Sequence, residues 1–238
     1  MTPRTHSAAQ AELRLTPELC ARIRRAVRDP GPASGLSYLS DAEYQASIDE
    51  TLAGRPDDGA VWVFAAGSLI WKPGFVPAER RIGVVRGWHR AFCLKTTRWR
   101  GTPECPGLML ALERGGECRG VVYRLPADAT QPTLHALWRR EIGVKPVNHD
   151  PRWVSVETEV GPVRALAFTA NPGGQSYVGA LSLAQTAAII ARAVGMWGSC
   201  AEYLCETVAH LEALGIRDDH LWRLQALVAE RILSGGGE

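Results

Sequence analysis

Apolar and polar positions follow different periods along the chain. From Thr16 a helical spacing runs through Leu19, Ile23 and Val27, with Pro17 at the first helical position and Pro30-Gly31-Pro32 as its stop. A second helix is predicted over Asp41 to Ala53, with Asp41 as its cap and Glu43 to Ile48 inside. Residues 1–10 carry no such pattern and read as disordered. Arg55-Pro56-Asp57-Asp58-Gly59 reads as a turn cluster.

Strand patterns then take over. Val61–Phe64, Arg81–Val85 and Arg90–Lys95 are short apolar or alternating runs. Leu108–Glu113 and Cys118–Leu125 flank Arg114-Gly115-Gly116-Glu117, a spacing that predicts a β-hairpin. Val154–Val160 and Val163–Thr169 flank Gly161-Pro162 and predict a second one. The middle of the chain therefore reads as a mostly antiparallel sheet or barrel of about six or seven strands.

Between the two hairpins lies a helix from Thr130 to Ile142, with Thr130 as cap and Pro132 in its first turn. After Asn171-Pro172-Gly173-Gly174 the period is helical again. Ser182 with Gln185 and Ser199 with Glu202 have capping-box spacing. Leu204, Val208 and Leu211 mark one face, and Gly215 closes that helix. Asp219 can cap a last helix carrying Leu221, Leu224, Val228 and Ile232.

Composition narrows the function classes. The net charge is +2, and Arg22-Ile23-Arg24-Arg25 is a solvated helix face, so no electrostatic signal points to nucleic acid or an anionic membrane. No stretch approaches the roughly 18 apolar residues of a membrane span, and no apolar leader is seen at the start. The six cysteines, Cys20, Cys93, Cys105, Cys118, Cys200 and Cys205, form no CxxC pair and read as reduced cytoplasmic thiols. The histidines show no ligand spacing with one another or with cysteine, so no metal is predicted.

Two features carry chemistry. In VWVFAAGSLIWKPGF (61–75) a buried strand runs into small residues, Ala65 to Ser68. Successive amides of such a loop can form a concave anion site, or Gly67 can serve a tight turn at positive φ. Fingerprints for a dinucleotide, a phosphate loop or a serine elbow are absent, and Ser68 is better placed as a hydroxyl donor than as a nucleophile. The second feature is Glu141. It follows Leu134, Leu137 and Trp138 at helical spacing, so the helix directs a carboxylate to its apolar side, while Arg139 and Arg140 fall on other faces. Such a carboxylate can act as a general base, or it can reach solvent at a frayed end or pair with Arg90 or Arg98.

Several stretches together resemble one family. These are VWVFAAGSLIWKPGF, GWHRAFCLK (87–95), RGT (100–102), PGLMLALERGGECRGVVYRLP (106–126), LWRRE (137–141), GSCAEYL (198–204) and LGIRDD (214–219). In that order, over roughly 60–230, they are similar to the ChaC family of glutathione-specific γ-glutamylcyclotransferases. The resemblance implies an α+β fold: a mixed β-barrel with flanking helices and a C-terminal helical region. It divides the chain into a helical extension over 1–56, a barrel core with the Glu141 helix over 57–170, and a helical segment over 171–238 packed on the core as one structural domain. It implies cyclisation of a γ-glutamyl compound such as glutathione to 5-oxoproline, with no cofactor. Glu141 matches the catalytic glutamate. Ala66, Gly67, Ser68, Leu69, Ile70 and Trp71 match the loop that cradles the glutamyl group. Tyr203 matches a tyrosine that lines the pocket or packs beside it. The chain departs from the usual family pattern at Ala66 (usually Tyr), at Cys200 (usually Asn) and over Ile142 to His149. An alternative on the same fold is a γ-glutamyl-binding or cation-transport regulatory protein without catalysis. Retention of Glu141 speaks for the enzyme.

Overall fold

The structure, a computed structural model, describes residues 13–32, 35–55 and 59–235. The stretch 1–10 and Pro56-Asp57-Asp58 lie outside these. In chain order the elements are α1 (Pro17–Ala21), β1 (Ser37–Tyr38), α2 (Asp41–Ala53), β2 (Trp62–Ala65), a 3₁₀ turn (Ser68–Ile70), β3 (Glu79–Thr96) and β4 (Gly107–Arg124). There follow α3 (Thr130–Glu141), β5 (Val144–Lys145), β6 (His149–Thr158), β7 (Val163–Ala170), α4 (Leu183–Ile190), β8 (Val194–Gly195), β9 (Gly198–Ser199), α5 (Cys200–Ala213) and α6 (Asp219–Leu233). Residues within 34–94 and 110–179 form one compact unit, and those within 1–33, 95–109 and 180–238 form another. No helix among the described residues is long and apolar enough to cross a membrane.

The first of these units is a closed barrel in the order β2-β4-β3-β6-β7. It has five strands instead of six or seven because two expected breaks are bends. Arg81–Val85 and Arg90–Lys95 belong to one strand of 18 residues, β3, which passes through Gly87 at φ 78°. Leu108–Glu113 and Cys118–Leu125 belong to another, β4, through Gly115 and Gly116 at φ 108° and 64°. The expected hairpin at Gly115-Gly116 is therefore absent. Contacts between β3 and β4 persist at this point: His89 Nδ1 lies 3.1 Å from the Gly115 carbonyl, and Arg86 meets Glu117 at 3.0 Å. A glycine at positive φ inside a paired strand makes a bulge that bends the strand without ending it.

That bend lets β4 serve two neighbours. Leu112 pairs in parallel with Thr169 of β7, while Val121 to Arg124 pair antiparallel with Ala65 to Trp62 of β2. Closure comes from a parallel contact between β2 and β7, Trp62 opposite Ala165 and Val63 opposite Leu166. The β6–β7 hairpin forms as predicted, with β6 extended back to His149. Residues two apart share a strand face, and Trp62 with Phe64, Val154 with Val156 and Ala165 with Ala167 turn inward. Val85, Trp88, Leu112, Cys118 and Val122 complete that core.

Helix α3 forms where its period predicts. Leu134, Leu137 and Trp138 are buried, and the Trp138 ring meets Phe168 edge-on at 5.3 Å. Burying side chains of this size contributes about 1.5–3 kcal/mol each. Trp138 Nε1 donates to Ser47 Oγ at 2.9 Å, tying α2 to α3. Several caps sit one residue from the predicted place. Ser40, with Glu43 in a capping box, caps α2 instead of Asp41, and Asp218 caps α6 instead of Asp219. Thr130 does not cap α3; its hydroxyl bonds the Pro126 carbonyl, and Ala129 holds the cap position.

In the other unit α4 and α5 pack on α6, and the capping boxes of Ser182 and Ser199 form as predicted. The α1 helix is shorter than its period suggested. It ends at Ala21, and beyond it Arg24 pairs with Glu202 at 2.6 Å and Arg25 reaches the Arg192 carbonyl. Cys200 is a hydrogen-bonding strut: its thiol lies 3.1 Å from the Arg100 carbonyl and 3.3 Å from that of Leu108, and it accepts the Leu108 amide. Burial pushes this thiol up to about 12.

The seam between β3 and β6 is narrow, with Gly83 to Val85 opposite Thr158 to Val156. A Cβ on Gly83 would lie 2.5 Å from Val156 Cγ1 and 3.0 Å from the Glu157 carbonyl oxygen. Gly83→Ala is therefore expected to lower unfolding stability by about 1–3 kcal/mol, read as an earlier urea midpoint. An unchanged midpoint would show that the seam gives way freely.

Candidate active site

Glu141 is the last residue of α3, and its side chain keeps 16% of its exposure. The helix delivers it there through the same spacing that buries Leu134, Leu137 and Trp138. Two contacts finish the helix end. The Ile142 amide donates to the Trp138 carbonyl at 2.8 Å, and His149 Nδ1 lies 2.9 Å from the carbonyl oxygen of Glu141. The carboxylate pairs with neither Arg90 nor Arg98. Its partner is Arg140, Nε to Oε1 at 3.1 Å.

The loop after β2 is a tight 3₁₀ turn. The Ile70 amide bonds the Gly67 carbonyl and the Lys72 amide bonds that of Ser68, at 2.9 Å each. The amides of Gly67, Ser68 and Leu69 stand ahead of the first turn bond, so they have no partner within the turn. Gly67 sits at φ −136° and ψ −129°, so a left-handed conformation is not what this position uses. Leu69 and Ile70 are buried, while Ala66 packs its methyl on the barrel core. Trp71 closes the turn as its C-cap residue.

Arg140 joins the helix end to this loop. One guanidinium holds the Glu141 carboxylate through Nε, donates to Ser68 Oγ through Nη2 at 2.7 Å, and donates to the Lys72 carbonyl through Nη1. By helical period Arg140 falls on another face of the helix. The helical period gives a residue's direction at Cα, but a long flexible side chain can reach back around the axis. Glu141 and the loop 66–71, expected to act together, are thus brought together within one unit.

Three further side chains shape the site, and no motif singled them out as functional. Tyr123 on β4 is buried, donates to the Ile70 carbonyl at 3.0 Å, and receives the Phe75 ring edge-on at 5.8 Å. Burial pushes its phenol up, which keeps it a hydrogen-bond donor. Arg90 is buried on β3 and donates from Nε to the Ala66 carbonyl at 2.8 Å and from Nη2 to that of Arg119. His149 opens β6. Strand alternation marks such residues as inward or outward but does not say which carbonyl they will meet. The divergent segment after Glu141 folds back through β5, which pairs with β1, and Lys145 reaches Glu43 at 2.6 Å.

Tyr203 belongs to the other unit. It is buried on α5, with the Arg100 guanidinium 5.3 Å above its ring. A cavity of about 570 Å³ lies in the barrel unit, but it is lined by β3, β4 and β6 and not by the loop or Glu141. Hollow volume alone does not locate chemistry. Among the described residues no group of three or more His, Cys, Asp or Glu side chains could hold a metal ion.

Comparison with known proteins identifies the family of the chain. The model of the family described as ChaC-like protein matches residues 61–231. The chain is 41% identical over 187 residues to the glutathione-specific gamma-glutamylcyclotransferase of Escherichia coli K12, covering 78% of this chain and 80% of that protein. It is 30% identical over 172 residues to glutathione-specific gamma-glutamylcyclotransferase 1 of Homo sapiens, covering 69% and 77%. A crystal structure of the glutathione-specific γ-glutamyl cyclotransferase from yeast shares the fold, with a TM-score of 0.66 at 21% identity over 73% of this chain and 97% of that one.

The Tyr123 contact is testable on its own. Tyr123→Phe leaves the Ile70 carbonyl without its donor, at a cost of about 1–1.5 kcal/mol. Hydrogen exchange at the Ile70 and Lys72 amides should speed up about five- to tenfold, with the β6–β7 hairpin unaffected. Unchanged exchange in the turn would mean that Tyr123 does not hold it.

Proposed function

This chain belongs to the ChaC-like protein family, and on that premise we propose that it is a γ-glutamylcyclotransferase acting on glutathione or a closely related γ-glutamyl compound. The glutathione-specific gamma-glutamylcyclotransferase activity for which its relatives are named, one of them 41% identical, supports this reading. The observation that carries it is the Arg140 guanidinium, which holds the Glu141 carboxylate beside the loop that begins at Ala66.

The reaction is an internal acyl transfer. The α-amine nitrogen of the glutamyl group attacks its own γ-carbonyl carbon, and a new C–N bond closes the five-membered ring of 5-oxoproline. The original amide C–N bond breaks, and Cys-Gly leaves from glutathione as an amine. The attacking nitrogen loses a proton and the leaving nitrogen gains one, so the bond changes balance without water or an oxidant. Glu141 takes the proton from the amine and returns it to the leaving nitrogen. The amides of Gly67, Ser68 and Leu69 hold the α-carboxylate or the oxyanion that forms on the γ-oxygen. Ring closure depends on a folded substrate more than on a strong nucleophile, which suits a site built from one carboxylate and a backbone cradle. Arg140 acts here as a positioning residue, keeping carboxylate and cradle in register.

The reading is tested with Glu141→Gln, which keeps shape and removes the proton acceptor. Release of 5-oxoproline from glutathione should fall by about 10²–10⁴-fold. The melting temperature should move little, because a partly exposed ion pair contributes at most about 1 kcal/mol. A folded variant with near-full activity would remove Glu141 from the mechanism. A wild-type protein that binds glutathione and releases no 5-oxoproline would favour the non-catalytic alternative.

A further inference from the structure

Beyond Val85 the seam between β3 and β6 opens. Their pairing covers Gly83 to Val85, and β3 then bends at Gly87. The cavity of about 570 Å³ lies along this opening, with Trp88 on β3, Arg114 on β4 and Trp153 on β6 among its walls. Its other cations are already committed. Arg86 is held by Glu117 at 3.0 Å and Glu157 at 3.3 Å, and Arg152 by Asp150 at 3.0 Å. Arg114 differs: its guanidinium lies 4.7 Å from the centre of the Trp88 ring, and among the described residues it has no carboxylate partner. An uncommitted cation resting on an aromatic wall is suited to a ligand with a carboxylate at one end and an apolar body.

The position of the cavity matches one half of the substrate. Trp88 stands two residues before Arg90, which holds the Ala66 carbonyl. Pro151, also in the cavity wall, stands two residues after His149, which holds the end of α3 at Glu141. Two residues of strand span about 7 Å. On both strands the cavity wall thus lies one such backbone step from a residue whose side chain bonds the Ala66 loop or the end of α3. The leaving Cys-Gly half of glutathione is also two residues long, about 7 Å when extended, and ends in a carboxylate.

We propose that this cavity receives the leaving half of the γ-glutamyl substrate and that Arg114 binds its terminal carboxylate, which makes Arg114 a specificity-determining residue. The inference rests on the cyclotransferase reading above. It makes the substrate class narrower: γ-glutamyl peptides with a free carboxylate two residues beyond the scissile bond.

The test compares glutathione with its C-terminal primary amide, which has the same length and lacks the negative charge. Wild-type protein should favour the acid by about tenfold in kcat/KM. Arg114→Ala should raise KM for the acid by a similar factor, leave kcat nearly unchanged and leave the amide's constants as they are, so that the preference disappears. Turnover of the amide reports that the variant is folded. Arg114→Lys should restore part of the preference. An acid-to-amide ratio near one in wild type, or a ratio that survives Arg114→Ala, overturns the inference alone. No 5-oxoproline from either compound in wild type overturns the cyclotransferase reading and the inference with it.

Discussion

The barrel depends on two long strands that bend at glycine without breaking. At Gly87 in β3 and at Gly115 and Gly116 in β4 the backbone adopts positive φ, open to glycine at little cost. The bend in β4 lets one strand meet β7 with one half and β2 with the other, and the parallel contact of β2 with β7 then closes the ring. Closure sets the direction in which β2 ends, and the turn Ser68–Ile70 follows from that end. The bend in β3 lies just beyond the paired seam with β6, where the barrel wall is parted by the cavity. One backbone device thus shapes both the cradle and the hollow.

Onto this frame α3 brings a single carboxylate. Its apolar stripe places Leu134, Leu137 and Trp138 in the interior, so the orientation of Glu141 is a by-product of packing. Packing alone would leave the helix end loosely placed relative to the turn. The guanidinium of Arg140 removes that freedom by bonding the carboxylate, a hydroxyl and a backbone carbonyl at once. Its planar fork suits such multiple recognition in a way that a lysine would not. Tyr123 and Arg90 steady the turn from the barrel side by taking the carbonyls of Ile70 and Ala66. A carboxylate tied in this way to a braced turn has little freedom left to lose.

The parts of this arrangement legible in the sequence were those with a strong local signal. The helix from Thr130 onward, the capping boxes at Ser182 and Ser199, the β6–β7 hairpin and the inward direction of Glu141 all follow from periodicity and cap chemistry. The hairpin predicted at Gly115-Gly116 was a bend because paired glycines serve turns and bulges alike, and only the partner strand decides between them. Ser40 and Asp41, or Asp218 and Asp219, are adjacent good caps, so sequence could not choose between them. Tyr123 and Arg90 were missed as supports of the turn because the carbonyls they bond carry no residue-specific signal, and Arg140 because its long side chain reaches back from another face of the helix. The length of α1 was overestimated because the apolar period through Ile23 and Val27 continues past the point where the helix ends, at Ala21.

The central claim is that the Gly67–Leu69 amides and the Glu141 carboxylate bind one glutamyl group between them. The most direct measurement is a crystal structure of the protein soaked with 5-oxoproline, the cyclised glutamyl product. The account predicts the ring carboxylate or lactam oxygen within about 3 Å of those amides and the ring nitrogen within hydrogen-bond reach of Glu141. The Arg140 contacts to Ser68 and Lys72 should remain intact. A ring bound elsewhere in the barrel unit, with the amides and Glu141 untouched, would contradict it.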